Sequence, residues 1–207
     1  MLKAIIFDFD GVIVDSLELW TEAFISACKG NGFSRIASKE AFLNLFDGNF
    51  YEEMLKAGIA EKEVPLMRKK LEHAYAENKD SIKLIDGMRE TLDILAKENQ
   101  IYIVSSNFSG IVQDILDSRG IEISGEILGA DKGKSKVKKI ESIKSRYFDH
   151  IFFYIGDTRG DMIEGKIAGV KTVAVTWGWH SREKLNEGKP DYLVNTPQEL
   201  VKLINSL

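Results

Sequence analysis

The sequence predicts an α/β protein, with a parallel β-sheet layered between helices and a small all-helical domain inserted after the first strand. Four short apolar runs each end in a cluster of polar residues, as strands do in a sheet that helices cover on both faces. Helical patterns separate the later runs, and only helical periodicity occurs between residues 17 and 82. Ligands bind beyond the carboxyl ends of such strands, so the polar clusters are expected to converge on one rim.

The first strand is predicted over residues 4–7 and leads directly into Asp8 and Asp10. The period of two along a strand points these side chains to the same side. Carboxylates this close repel each other unless a cation lies between them or one of them keeps its proton. Both conditions suit chemistry on an anionic substrate, although Asp-x-Asp-Gly on its own also occurs in ordinary turns.

The helical stretch predicts a separate cap domain over residues 17–82, inserted into a core domain formed by residues 1–16 and 83–207. Its two connections to the core make a hinge possible. Within the cap, residues 46–50 combine a break in the helical pattern with two aromatic and several polar side chains, and we expect this segment to face the catalytic rim. The alternative is that Phe46 and Phe50, four residues apart, are helical core residues.

The rest of the chain alternates helices and strands. Helices are predicted over residues 88–97, 111–118, 135–144 and 161–168, with a last one that begins at Pro197. Strands are predicted over residues 101–104, 151–155 and 172–175, and a short apolar run occupies 126–129.

Composition narrows the function classes. The 207 residues carry a net charge of -4, with a sequence pI of about 5.5, which provides no basic field for nucleic acid or an anionic membrane. No apolar run approaches the roughly 18 residues of a membrane span, so we expect a cytoplasmic protein. The single cysteine, Cys28, is predicted to be a core thiol. His73, His150 and His180 lack metal-ligand spacing, and structural or solvent-facing roles are expected for them.

The rim residues indicate phosphoryl transfer. Asp8, Asp157 and Asp161 offer hard oxygen ligands without a cysteine or histidine set, which favours Mg²⁺ over zinc or copper. A magnesium ion held by two or three protein groups keeps positions open for phosphate oxygens. Ser105 ends a strand before a helix, where its hydroxyl and the following amides can hold an anion, and Lys136 adds positive charge.

Four motifs in order resemble the haloacid dehalogenase superfamily of phosphohydrolases, and within it the phosphoglycolate phosphatase-like members with a helical cap. The matching residues are Asp8-Phe9-Asp10-Gly11-Val12 with Asp15-Ser16, then Ser105-Ser106-Asn107, then Lys136, then Gly156-Asp157-Thr158 with Asp161. The resemblance covers essentially the whole chain and implies a Rossmann-like core. Many capped members carry Lys-Pro at the third motif, whereas this chain has three lysines between 132 and 136.

The resemblance implies a role for each matching residue. Asp8 would be the nucleophile that forms an aspartyl phosphate, and Asp10 the acid and base. The implied Mg²⁺ ligands are the Asp8 carboxylate, the Asp10 backbone carbonyl and Asp157, with Asp161 binding through water or supporting the other ligands. The implied phosphate-binding residues are Ser105, Ser106, Asn107 and Lys136. The implied substrate is a small phosphorylated metabolite.

Several alternatives stay open at this stage. Lys134 could replace Lys136 as the site lysine, and Asp161 could be favoured at a helix start by the dipole alone. A phosphomutase would use the same Asp8 and Asp10, and a receiver-like signalling module also phosphorylates an aspartate. A dehalogenase would need no acid at Asp10, and a phosphonate hydrolase would want a Schiff-base lysine in the cap. The sequence leaves monomer and homodimer undecided.

Overall fold

The computed structural model describes residues 2–207 and contains a six-stranded parallel sheet and a separate two-stranded pair. The strands are β1 (Lys3–Phe7), β2 (Val14–Asp15), β3 (Lys83–Leu84), β4 (Asn99–Val104), β5 (Ile127–Leu128), β6 (Ile151–Gly156), β7 (Lys171–Val175) and β8 (Tyr192–Val194). The order in the large sheet is β5-β4-β1-β6-β7-β8, which places β1 near the centre. The predicted α/β class with a parallel sheet is confirmed.

Ten α-helices accompany the strands in the described part of the chain. They are α1 (Leu17–Lys29), α2 (Lys39–Asn44), α3 (Phe50–Lys56), α4 (Val64–Asn78), α5 (Met88–Leu95), α6 (Ser109–Ser118), α7 (Lys136–Lys144), α8 (Arg159–Ile167), α9 (Arg182–Glu187) and α10 (Pro197–Ser206).

Strand β1 is the centre of the core. Its residues from Ala4 to Phe7 are fully buried, and they alternate between two apolar layers. Ile5 and Phe7 pack into the layer that includes α5, α6 and α10, whereas Ala4 and Ile6 pack against α7 on the other face. This alternation follows from the period of two in a strand and explains why the run reads as continuously apolar.

The inserted segment between β2 and β3 is all helical, as predicted. Helices α1 to α4 share an apolar cluster of their own, which contains Phe24, the fully buried Cys28 and Met67. Strands β2 and β3 are the two connections to the core, and they pair with each other in antiparallel fashion, Val14 opposite Leu84. The domain boundaries at residues 16/17 and 82/83 stay a prediction.

Four elements were not predicted, and strand β4 and helices α6 and α8 each begin two residues earlier than expected. Strands β2, β3 and β8 and helix α9 are short, and the periodicity of so few residues carries little signal. Helix α8 begins at Arg159 instead of Asp161, because Thr158 and Asp161 form a capping box in which Asp161 is the third helical residue. Among residues 2–207, no helix has both the length and the apolarity that a membrane span requires.

Candidate active site

The acidic centre is built where β1 and β6 end side by side. Parallel pairing sets Phe7 opposite Ile155, and the Asp8 amide donates to the Ile155 carbonyl at 2.8 Å. The chain then brings Asp157 and Asp161 next to Asp8, with one carboxylate oxygen from each residue within 4.8 Å of the others. The structure therefore gathers the three carboxylates that the sequence analysis expected on one rim.

Asp157 is the least compensated of the three acids. It is fully buried, its Oδ2 accepts a hydrogen bond from the Trp179 amide at 2.7 Å, and its Oδ1 has no partner among the described residues. Burial, together with the charges of Asp161 and Asp8, raises the pKa of Asp157 well above its usual range. A buried carboxylate oxygen without a donor is the arrangement that a bound cation resolves.

Two glycines make room for Asp157. A Cβ atom on Gly11 would lie 2.1 Å from Asp157 Oδ2, and one on Gly178 would lie 2.2 Å from Asp157 Cβ. Gly11 also has a φ of +80°, which disfavours other residues. The loop after β1, which contains Gly11, and the loop after β7, which contains Gly178, therefore pack against Asp157 from two sides.

Lys136 is the cation of this cluster. Its Nζ lies 2.7 Å from Asp8 Oδ2 and 2.7 Å from Asp161 Oδ1, and the side chain is buried. Burial alone would lower the pKa of Lys136, but Asp161 and Asp8 raise it well above the usual value. Burial raises the pKa of Asp8 to about 7, although Lys136 opposes the shift. Lys134, the alternative site lysine, lies instead with its Nζ 3.7 Å from the centre of the Tyr51 ring.

Asp161 differs from Asp157 because its oxygens are well partnered. Oδ1 accepts from Lys136 and from the Tyr154 hydroxyl at 2.8 Å, and Oδ2 accepts from the Thr158 amide and hydroxyl. Burial would raise its pKa, but Lys136 and these donors hold the pKa of Asp161 below its usual value. These bonds favour the supporting role, since they position Lys136, and its membership of a metal ligand set stays a prediction.

Asp10 receives three donors on one oxygen. Its Oδ1 accepts from Ser16 Oγ at 2.7 Å, Trp20 Nε1 at 2.9 Å and Tyr75 Oη at 2.8 Å, whereas Oδ2 has only Asn107 Nδ2 at 3.3 Å. Burial raises the pKa of Asp10 despite these hydrogen bonds. Because Oδ1 is saturated with donors, a proton on this carboxyl group belongs on Oδ2.

The loop after β4 faces the same cavity. Ser105 is buried, and its Oγ accepts from the Asn107 amide at 2.9 Å. Ser106 lines the cavity with Ser105 and Asn107, just before the N-terminus of α6. The structure therefore places all three predicted phosphate-binding residues of this loop around the space beside Asp8 and Asp10.

Aromatic side chains close the other side of the cavity. Its lining includes Trp20, Phe46, Phe50 and Trp179. The Phe46 ring stacks on Phe50 with 4.9 Å between centroids and meets Trp179 edge-on at 4.8 Å. Residues 46–50 therefore do face the rim, as expected. The cavity measures about 30 Å³, room for roughly two water molecules.

The segment 46–50 is fastened to α8 by its backbone. The Gly160 amide donates to the Phe46 carbonyl at 2.9 Å, and Arg159 Nη1 donates to the Asp47 carbonyl at 2.6 Å. A Cβ on Gly160 would lie 2.4 Å from the Gly48 carbonyl oxygen. The first turn of α8 therefore has two contacts. Its capping box positions Asp161 in the acidic cluster, and Arg159 and Gly160 bind the cap segment 46–50.

His180 is a further link between cap and core. Its Nδ1 accepts from the Arg159 amide at 3.0 Å, and its Nε2 lies 3.1 Å from the Leu43 carbonyl, to which it donates. The imidazole is therefore neutral, and burial lowers its pKa. This is the structural role expected for His180.

Sequence reasoning missed two residues that contact Asp10. Trp20 and Tyr75 reach Asp10 from α1 and α4, and their rings lie 4.9 Å apart. Both stand on stripes with helical spacing, and nothing in that pattern separates an apolar core residue from one whose polar tip reaches an aspartate.

The donor set fits a hard divalent cation. Three carboxylates converge from two loops and the first turn of α8, Asp157 Oδ1 is buried without a donor, and neither cysteine nor histidine is present in the cluster. Oxygen ligands of this kind suit Mg²⁺. Lys136 provides one positive charge against three acids, so a divalent ion would bring the cluster close to neutrality.

Known proteins share the sequence pattern of this chain along nearly its whole length. A family profile described as haloacid dehalogenase-like hydrolase matches residues 5–175. The chain is 24% identical to the phosphoglycolate phosphatase of Synechococcus elongatus, over 100% of this chain and 99% of that protein. It is 27% identical to the phosphoglycolate phosphatase of Aquifex aeolicus, over 99% and 98%.

The same fold occurs in the crystal structure of a predicted phosphatase from Clostridium acetobutylicum, with a TM-score of 0.85, 21% identity and complete coverage of both chains. The family match spans β1 to β7 and includes all four motifs. It confirms the resemblance and shows that the protein is an enzyme. The chain belongs to the haloacid dehalogenase-like hydrolases.

Proposed function

We propose that the protein is a Mg²⁺-dependent phosphatase that hydrolyses a small phosphate monoester through an aspartyl phosphate on Asp8. The observation that carries the proposal is the buried cluster of Asp8, Asp157 and Asp161 around Lys136, open to a cavity that Asp10 also lines. The relatives named phosphoglycolate phosphatase support the substrate class.

In the first step the Asp8 carboxylate attacks phosphorus and the bond to the leaving oxygen breaks. The leaving oxygen takes the proton from Asp10 Oδ2, which has Asn107 as its only donor, whereas Oδ1 has three. Ser105, the loop amides and Lys136 hold the negative charge of the phosphoryl group. Mg²⁺, bound by Asp8, Asp157 and the Asp10 carbonyl, would supply further positive charge to the phosphate oxygens.

In the second step Asp10, now a carboxylate, takes a proton from water. The water oxygen attacks phosphorus, the bond between phosphorus and the Asp8 oxygen breaks, and inorganic phosphate leaves. Both aspartates return to their starting states, so Asp10 accounts for both proton transfers, first as the acid and then as the base. The aromatic wall limits the water present while the ester is in place.

The cavity of about 30 Å³ is too small for a substrate larger than a few atoms. The cap must therefore move away from the rim to admit one. The paired connections β2 and β3 are the points where this motion would turn.

The test is phosphate release from a panel of small phosphate monoesters and p-nitrophenyl phosphate, with Mg²⁺ or with a chelator. We expect turnover that the chelator abolishes and that Asp8→Asn removes without loss of the fold, as judged by circular dichroism. Asp149→Asn is the matched control, because Asp149 is an exposed aspartate that does not line the cavity. Failure to release phosphate from every ester would contradict the proposal. Isomerisation of a sugar phosphate faster than its hydrolysis would instead identify a phosphomutase.

A further inference from the structure

A second cavity adjoins the catalytic one. It measures about 20 Å³, and Phe50 and Ser106 line both cavities. Three cationic side chains line the second cavity from three different elements: Arg68 from α4, Lys134 from the loop before α7, and Lys139 from α7. No carboxylate is among the residues that line it.

These three cations have no acidic partner. Within the described residues 2–207, none of them has a carboxylate oxygen within the 4.0 Å of an ion pair. Glu72 acts on Arg68, and Glu164 and Asp8 act on Lys139, only from farther away. Lys139 is 4% exposed, and its Nζ donates to the Ser105 carbonyl at 2.8 Å. Arg68 lies 5.3 Å from the centre of the Phe108 ring.

The positive charge of Lys139 is destabilised by its burial unless an anion lies nearby. Burial and the neighbouring Lys136 lower the pKa of Lys139 to about 7, although Glu164 and Asp8 oppose the shift. The aromatic rings of Tyr51 and Phe108 hold the ends of Lys134 and Arg68 without neutralising them. The cavity is thus built to receive negative charge.

The catalytic cavity offers no place for a second anion. Lys136 is the only cationic residue in its lining, and that lysine already pairs with Asp8 and Asp161 and serves the transferred phosphoryl group in the proposed mechanism. The remaining wall away from the loop after β4 is aromatic. A substrate group with a negative charge of its own would be destabilised against these rings.

We propose that the cavity of Arg68, Lys134 and Lys139 binds a second anionic group of the substrate, a carboxylate or a second phosphate, while the phosphoryl group to be transferred lies beside Asp8. The inference rests on the proposed phosphatase function and narrows its substrate to phosphate monoesters that carry another negative charge. Because Phe50 and Ser106 belong to both cavities, the linker between the two anions passes beside Phe50.

The first test compares substrates that differ only in the second charge. For a carboxylate the pair is phosphoglycolate and 2-hydroxyethyl phosphate; for a phosphate it is 1,3-propanediol bisphosphate and its monophosphate. We expect kcat/KM to be at least about tenfold higher for one of the doubly anionic members, as one charge-assisted contact provides. Which pair shows the preference identifies the anion.

Arg68→Gln should bring that ratio down about tenfold, toward one. Arg68 is only half-buried, so the variant is expected to fold. Lys69→Gln is the matched control, because Lys69 is the next residue on α4, is exposed, and does not line the cavity. An unchanged ratio in Arg68→Gln, or a ratio near one in the wild type while both esters are hydrolysed, overturns the inference and leaves the phosphatase proposal standing.

A binding measurement separates this inference from turnover. Calorimetric titration with 3-phosphonopropionate and 3-hydroxypropylphosphonate, which cannot be hydrolysed, should show tighter binding of the carboxylate, and Arg68→Gln should remove the difference. The corresponding bisphosphonate serves the phosphate arm. If the binding difference is present but no ester is hydrolysed, the phosphatase proposal fails and the anion site stands. Equal binding of charged and neutral analogues in both arms contradicts the site.

Discussion

The Tyr75 hydroxyl, on the last long helix of the cap, lies 2.8 Å from Asp10 Oδ1, in the loop after the first core strand. The two residues are 65 positions apart, and both are buried. Together with Trp20, Tyr75 makes the cap the source of two of the three donors on that oxygen. The orientation of the proposed acid and base therefore depends on where the cap sits.

Removing this hydroxyl should impair the acid step. Tyr75→Phe is expected to lower kcat roughly tenfold for an alkyl phosphate, out of the 10² to 10⁴ that acid and base catalysis typically contribute. The Tyr75 hydrogen bond lowers the pKa of Asp10. Its loss should therefore raise the pKa of Asp10 and move the alkaline limb of the kcat/KM pH profile upward.

Tyr192→Phe is the control for this variant, because Tyr192 lies on β8, far along the sheet from Asp10. A Tyr75→Phe enzyme with normal kcat and an unshifted pH profile would show that Tyr75 only packs.

The buried charge of Asp157 should lower the free energy of unfolding of the metal-free protein. Asp157→Asn keeps the acceptor for the Trp179 amide and removes a buried charge beside Asp8 and Asp161. In chelator at neutral pH we expect the variant to be more stable than the wild type by about 1 kcal/mol or more, and to have lost Mg²⁺-dependent activity.

The pH dependence of this gain follows from the direction of the Asp157 shift. The folded-state pKa is raised, so the charged form opposes folding at pH values above it. The gain should be full there and should disappear as the pH falls toward 3.8, where the residue is protonated in both states. Thermal melts of both proteins in chelator at several pH values measure it; a variant that is less stable at neutral pH contradicts the account.

His180 should stabilise the protein mainly above pH 6.5. His180→Ala leaves the Arg159 amide and the Leu43 carbonyl without partners, which costs about 2 kcal/mol. The pKa of His180 is lowered in the fold, so below its unfolded value of 6.5 the unfolded chain takes up a proton that the folded chain does not. The stability difference between wild type and variant should therefore shrink as the pH falls through 6.5.

His73→Ala, at an exposed histidine, is the control variant. Denaturant titrations at pH 7.5 and 5.5 measure the free energy of unfolding of each protein. A difference that grows on acidification would mean that His180 is protonated in the fold.

Gly160 should matter for the cap and not for the helix. Gly160→Ala places a Cβ 2.4 Å from the Gly48 carbonyl, which forces the segment 46–50 away from α8. We expect KM to rise several-fold with little change in melting temperature, because alanine favours the helix itself by about 0.5 to 1 kcal/mol.

Gly110 occupies the same second position in α6, and a Cβ there meets nothing within 4 Å. Gly110→Ala should leave KM unchanged. Equal kinetics for the two alanine variants would show that the contact between Gly160 and the cap does not influence substrate binding.

The sequence was sufficient for the elements whose signals are local. Strand β1 is an apolar run that ends at Asp8, and the convergence of this end with the end of β6 follows from the rim that parallel strands share, whereas their direct pairing is seen only in the structure. For the same reason the three acids and Lys136 could be expected together, although they come from three separate stretches. The capping box at Thr158 and Asp161 was readable as well, and it would have given the correct start of α8.

The contacts that could not be predicted join residues that are far apart in the sequence, and they depend on where each side chain points. Tyr75 lies on a stripe of apolar residues with helical spacing, and nothing in the sequence indicates that its hydroxyl reaches Asp10. Arg68 and Lys139 resemble ordinary charged residues on helix surfaces, yet Arg68 is half-buried and Lys139 is almost wholly buried beside the loop after β4. Such contacts depend on how the cap packs on the core, and periodicity within one helix does not encode that.

Trapping of the intermediate tests the central claim most directly. In Asp10→Asn the first step with p-nitrophenyl phosphate needs no acid, because the phenolate leaves unprotonated, whereas the second step lacks its base. The account predicts one rapid equivalent of p-nitrophenolate per enzyme with Mg²⁺, followed by very slow turnover. Acid quench and peptide mass spectrometry should then find the phosphate on Asp8. A missing burst with steady turnover, or a phosphate found on another residue, would contradict the account.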